Sequence, residues 1–194
     1  MIWLKIALFG GTFDPVHNGH VQAAESIMRF TGCKEVWFIP VYWHAFKANG
    51  KVTDIAHRKK MLEIAVAGKK GMRVVDFNEN PAYTIDTIRK AKKSRPGNEY
   101  AWAIGSDLVQ EFPAWKDAGL ILCETKIIIV PEPGIGKFES KLLNEKNSVV
   151  LWDAPRVGLN STAIRKKLER GESVSGLLDG KVLAYIKKNN LYKK

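Results

Sequence analysis

Short apolar runs alternate with stretches of helical period along most of this chain. Runs at 4–9, 35–40, 72–75, 100–104, 126–130 and 148–151 read as strands. Several are continuous in Ile, Val, Trp and Phe, the pattern of strands covered on both faces. Helical periods fall at 19–30, 54–67, 84–94, 107–122 and 137–146, with two more at 161–170 and 179–189 after the last strand. Strand and helix in alternation predict an α/β, Rossmann-like open parallel sheet with helices on both faces. The last two helices make a small C-terminal helical part, so the expectation is one domain over 1–194 with a helical subdomain at 159–194. No internal repeat, low-complexity segment or linker interrupts it. Residues 41–52 form a longer loop, aromatic and basic, directly after a strand end. Ligands of open parallel sheets bind at such ends, which marks the loop as a lid.

Composition narrows the setting. Hydrophobic residues make up 45% of 194 and are spread throughout, so a full core can form. The N-terminal run meets Gly10-Gly11 with no small-residue cleavage site, and reads as a first strand instead of a signal peptide. No apolar run approaches the ~20 residues of a membrane span. A soluble, cytoplasmic chain with no membrane partner is the expectation. Cys33 and Cys123 match no metal or redox spacing and read as free thiols of a reducing compartment. The formal charge of +11 calls for an anionic partner or a solvated surface. Charge alone does not choose between nucleic acid and a nucleotide. Oligomeric state is not legible, and a homo-oligomer is compatible with everything here.

The chemistry starts where the first strand ends. Gly10-Gly11-Thr12-Phe13-Asp14-Pro15-Val16-His17-Asn18-Gly19-His20 leads from strand to helix. Paired glycines turn sharply and leave room for a phosphate near the backbone. The following helix N-terminus offers amides and the positive end of its dipole. There is no G-x-G-x-x-G and no Gly-Lys-Ser/Thr, so this is neither the dinucleotide fingerprint nor a Walker loop. Two imidazoles stand at the mouth of the turn instead. Imidazole N–H groups can hold phosphate oxygens as charge develops on them. The other readings of His17 and His20 are a metal pair or a packed polar surface. A metal pair needs a third ligand, and His44 and His57 give no usual spacing, so no metal-ligating residue is assigned.

At these residues the chain resembles the HIGH-type nucleotidylyltransferases, particularly the bacterial nicotinate-nucleotide adenylyltransferases. The second signature of that family, a Ser-Thr-x-x-Arg run opening a late helix, appears as Ser161-Thr162-Ala163-Ile164-Arg165. Between the two lie Trp37-Phe38-Ile39-Pro40, a loop with Lys47, His57-Arg58-Lys59-Lys60-Met61-Leu62, Tyr83-Thr84-Ile85-Asp86-Thr87, Gly105-Ser106-Asp107 and Pro113-Ala114-Trp115. The end, through Tyr185-Ile186 to Asn190-Leu191-Tyr192, is similar too. The likeness spans nearly the whole chain.

The resemblance implies attack of a mononucleotide 5′-phosphate on the α-phosphorus of ATP, with release of pyrophosphate and no covalent enzyme intermediate. It implies His17, His20, Lys47 and Arg165 as catalytic residues. The ATP site would comprise Gly10, Gly11, Thr12, Phe13, His17, Gly19, His20, Gly105, Ser161, Thr162 and Arg165. The acceptor would meet Lys47, Thr84, Asp107 and Trp115, with Trp115 against the pyridine ring. Each also has an ordinary reading: Ser161 as a helix N-cap, Lys47 as an exposed lysine, Trp115 as part of the core. Mg²⁺ is implied as the companion of ATP, held by phosphate oxygens and water.

One segment departs from the family. The loop that there reads Pro-Pro-His-Lys is His44-Ala45-Phe46-Lys47 here, after Tyr42 and Trp43. The acceptor thus stays open between nicotinate mononucleotide, nicotinamide mononucleotide and another phosphate monoester, with CTP as a further alternative donor. A basic nucleic-acid binder on the same fold is the non-enzymatic alternative. It is disfavoured, because the catalytic-type residues are intact and no RNA motif is present.

Overall fold

The computed structural model describes residues 6–41, 52–77, 83–134, 136, 140–156 and 158–193. Six strands, β1 (Ile6–Gly11), β2 (Glu35–Pro40), β3 (Met72–Val74), β4 (Tyr100–Gly105), β5 (Lys126–Val130) and β6 (Ser148–Val150), form one sheet. Their order is β3-β2-β1-β4-β5-β6 and every pairing is parallel. This is the order of doubly wound nucleotide-binding sheets.

Alternation along the strands feeds two separate cores. Ile6, Leu8, Ile127 and Ile129 join the layer under α3 (Thr84–Ser94) and α4 (Ala118–Glu124). Ala7, Ala101, Ala103 and Ile128 face the opposite layer. That layer holds α1 (Asn18–Thr31), α2 (Ile55–Val66), α5 (Ser161–Glu169) and α6 (Gly180–Lys188). The alanines let this crowded side approach the sheet closely. His57 Nδ1 and the Tyr185 hydroxyl, 2.9 Å apart, tie α2 to α6. Adjacent strands β1 and β4 send their chains to opposite faces, through α1 and α4. A crevice therefore opens above their carboxyl ends.

Helix starts follow side-chain chemistry. Asp54, Asp179 and Asn160 each accept from a backbone N–H of the helix they precede, at 2.7, 2.8 and 2.7 Å. α1 stops at Gly32, whose φ of 73° is open to glycine.

Three expectations need correction. The first strand does not end at Phe9; it runs through Gly11, whose α-carbon lies opposite Pro40, while residues 1–5 lie outside those described. No single helix spans 107–122. Two 3-10 turns, Ser106–Leu108 and Phe112–Ala114, precede α4, because Pro113 and a left-handed Asp117 (φ 55°) interrupt it. The helix expected at 137–146 is not found over 140–146, and 137–139 lie outside the described residues. There Ser140 Oγ accepts from Leu142 and Leu143, and Asn147 Oδ1 accepts from Asn144. These side chains take the amides that a helix would have used.

Candidate active site

Gly10 and Gly11 close β1 with ordinary extended geometry, so the glycines are not there for a left-handed turn. A Cβ on Gly10 would sit 2.5 Å from Trp102 Cζ2, and one on Gly11 would sit 2.8 Å from Phe13 Cζ. Aromatic rings occupy the room that the sequence reading reserved for a phosphate. Phe13, left-handed at φ 49°, is buried against Phe9 and Phe38 and lies edge-on to His20 with centroids 4.9 Å apart. Any contribution of Phe13 to a nucleotide falls to its backbone.

The two histidines stack, with ring centroids 3.7 Å apart. His17 ends the turn in extended backbone before α1, and its N–H donates to His20 Nδ1 at 3.2 Å. With Nδ1 accepting, a neutral His20 carries its proton on Nε2 and presents a donor there. Burial lowers the His17 pKa to about 4. Burial, with His17 beside it, holds His20 well below its usual value. Both rings are uncharged donors at neutral pH. His17 Nδ1 is buried without a hydrogen-bond partner among the described residues. Gly19 is the second residue of α1, whose first turn carries no acidic side chain to occupy the dipole.

The late signature closes on this turn. Ser161 Oγ donates to the Pro15 carbonyl at 3.0 Å, and Arg165 Nη1 donates to the Asp14 carbonyl at 2.6 Å. Arg165 Nη2 also donates to Thr162 Oγ1 at 3.2 Å, which fixes the guanidinium on the exposed side of α5. Ser161 is not the N-cap considered above; Asn160 fills that place. Asn18 donates through Nδ2 to the Gly176 carbonyl and through its backbone to Leu177, at 2.8 and 3.0 Å. The start of α1 and the start of α5 thus face one crevice.

Sequence reasoning gave Arg58 and Tyr192 no role beyond their motifs. Arg58 is 1% exposed. Its Nη1 donates to the carbonyls of Thr12 and Val41 at 2.7 and 2.8 Å, and its Nε to Thr53 at 2.8 Å. One guanidinium fork therefore joins the turn after β1, the exit of β2 and the approach to α2. Its fixed geometry explains why an Arg is buried here. Tyr192 donates to Asp14 Oδ1 at 2.6 Å. Neither role has a local signal, since the partners lie in other segments.

At the other side of the crevice, Gly105 ends β4 where a Cβ would meet the Asp107 carboxylate, and Asp107 itself is exposed. Ser106 is buried and its Oγ accepts from the Glu132 backbone at 2.8 Å. Burial, and then Asp107, raise the Glu132 pKa. Glu132 is a second carboxyl that the sequence did not single out. Thr84 opens α3, and half-buried Trp115 rests on Phe112 with centroids 5.3 Å apart. Lys116 lies over the Tyr83 ring at 4.0 Å and 3.8 Å from Asp86, which draws the Trp115 segment to the start of α3. Lys47 and its neighbours at 42–51 lie outside the described residues. Among the described residues no group of three or more His, Cys, Asp or Glu is placed to hold a metal.

Residues 8–167 match the Cytidylyltransferase-like family. A probable nicotinate-nucleotide adenylyltransferase of Bacillus pumilus is 35% identical, over 97% of this chain and 98% of that one. The nicotinate-nucleotide adenylyltransferase of Bacillus subtilis is 31% identical over the same shares. The solved Plasmodium falciparum nicotinic acid mononucleotide adenylyltransferase complexed with NaAD superposes with a TM-score of 0.81. It is 21% identical, each chain being covered to 97%, and shares the fold. With its two signatures in contact across one crevice, this chain belongs to the nicotinate-nucleotide adenylyltransferase family within the cytidylyltransferase-like nucleotidyltransferases.

Proposed function

We propose that the chain transfers the adenylyl group of ATP to nicotinate mononucleotide in the biosynthesis of NAD. The observation that carries this reading is the direct contact of Ser161 and Arg165 with Pro15 and Asp14. An acceptor phosphate oxygen attacks the α-phosphorus, and the bond to the bridging oxygen breaks. Its electron pair leaves with pyrophosphate. The protein aligns the two phosphates and stabilises the charge that shifts between them.

In this reading the triphosphate lies across the start of α1. His20 donates from Nε2 to the α-phosphate and His17 supports it. The backbone of Gly10, Gly11, Thr12 and Phe13, with Gly19, follows the nucleotide, and Gly105 admits the adenosine. The amides of Ser161 and Thr162 and the Arg165 guanidinium take the β and γ phosphates. Lys47 adds a point charge to the transferring group. Thr84, Asp107 and Trp115 hold the acceptor, Trp115 by its ring. Mg²⁺ enters as part of the MgATP substrate, held by phosphate oxygens and water. The enzyme is one domain over 1–194 with its helical part at 159–194, and it works in the cytoplasm. No helix among the described residues is long and apolar enough to cross a membrane.

The test is pyrophosphate release from purified protein with ATP, Mg²⁺ and nicotinate mononucleotide. Release is expected with that acceptor, less with nicotinamide mononucleotide, and little when CTP replaces ATP. No release with either pyridine mononucleotide would sink the acceptor assignment.

A further inference from the structure

Asp14 is 4% exposed and is joined to three distant segments at once. Its Oδ1 accepts from the Tyr192 hydroxyl at 2.6 Å and its Oδ2 from the Thr53 N–H at 3.3 Å. Its carbonyl accepts from Arg165 Nη1 at 2.6 Å. Tyr192 reaches it from backbone turned left-handed at both Asn190 and Tyr192, with φ of 51° and 58°. Asn tolerates that conformation, but for Tyr192 it carries a steric cost that surrounding contacts must offset. Leu191 and Tyr192 pack against the core layer of α1 and α2, which supplies some of that hold.

We propose that Tyr192 is a positioning residue for nucleotide binding, acting through the buried Asp14 carboxyl to set the Asp14 carbonyl and, with it, the Arg165 guanidinium. This deepens the function proposed above and rests on its assignment of Arg165 to the phosphates. Burial, reinforced by Asp14, raises the Tyr192 pKa, so the phenol stays a donor throughout the working pH range. Without the hydroxyl, Oδ1 is left buried without that donor, and Asp14 regains one by readjusting. Because Oδ2 is already held by the Thr53 N–H, that readjustment passes to the peptide whose carbonyl holds Arg165. The phosphate contacts of Arg165 then lose their fixed geometry, while the acceptor side at Thr84 and Trp115 is untouched.

Tyr192→Phe in the full chain tests this, read by calorimetric binding of a non-hydrolysable ATP analogue and by steady-state pyrophosphate release. The analogue Kd is expected to rise about five-fold or more. KM for ATP should follow it, with KM for the acceptor within about two-fold of wild type. Arg165→Lys is expected to add little in the double variant, because both changes release the same geometry. Unchanged analogue affinity overturns the proposal, as does strict additivity. Lower resistance to urea at unchanged affinity also overturns it, by making the bond merely structural. If Tyr192→Phe does not fold, the isosteric Asp14→Asn carries the same measurements. A wild type that binds the analogue but releases no pyrophosphate defeats the adenylyl-transfer reading alone, and the binding arm still judges Tyr192. A wild type that does not bind it defeats both.

Discussion

At the scale of the residue, the decisive property of the site is that its histidines are neutral. His17 would titrate near 6.5 in an unfolded chain, but burial brings it to about 4 in the folded one. Between those values the unfolded state binds the extra proton, so stability rises with pH across that window and falls on acidification. The slope from His17 is about 1.4 kcal/mol per pH unit, and His20 acts in the same direction. Urea unfolding at pH 7 and pH 5 should reveal this loss, and His17→Asn should flatten it. An equally steep dependence in that variant would mean other groups are responsible. Neutrality also suits the chemistry. In the proposed role of His20, an uncharged Nε2–H can strengthen its bond as charge builds on a phosphate, and burial keeps the ring in that uncharged form at neutral pH.

At the scale of the element, the site depends on how closely β1 and β4 approach. The ring of Trp102, on β4, stands where a Cβ on Gly10 would project, and that of Phe13 where one on Gly11 would. Gly10→Ala is therefore expected to cost about 1–3 kcal/mol through overpacking, read from urea unfolding. Trp102→Phe in the same background should recover part of the loss by removing the atoms met by the new methyl. If it recovers nothing, the ring is not what requires a glycine. Elements also explain where periodicity misled. The 107–122 pattern is apolar at helical spacing, yet Pro113 and the left-handed Asp117 split it into turns and a short helix. That split places Asp107 at the β4 end and Trp115 beside α3, positions one straight helix could not give both.

At the scale of the whole molecule, the crevice joins the start of the chain to its last third. Ligand that binds only the folded state stabilises it, by about 2.7 kcal/mol at a hundred times Kd. An ATP analogue at that excess should raise the melting temperature of wild type. Arg165→Ala should lose most of that rise, measured against its own melting temperature without ligand. Retention of the full rise would place the triphosphate elsewhere. The basic charge is partly committed within the molecule: Arg89 and Lys92 pair with Glu124 at 2.8 and 3.1 Å, and Arg95 with Glu35 at 2.8 Å. The 89–95 segment is thus less available as a phosphodiester-binding face than its composition alone suggests.

The sequence by itself determined the α/β alternation, the doubly wound parallel sheet, the helix starts at Asp54 and Asp179, and the two signatures that mark the family. These are legible because they rest on local chemistry: periodicity, capping side chains and motifs contained within a dozen residues. Tertiary structure decided what joins them. That Gly10 and Gly11 make room for aromatic rings, that Asn160 and not Ser161 caps α5, and that Arg58 is buried among three carbonyls could not be read from spacing. Nor could the convergence of Tyr192, Thr53 and Arg165 on Asp14. Each depends on groups far apart in the chain, whose hydrogen bonds exist only once the two cores have closed on the sheet and excluded water from between them.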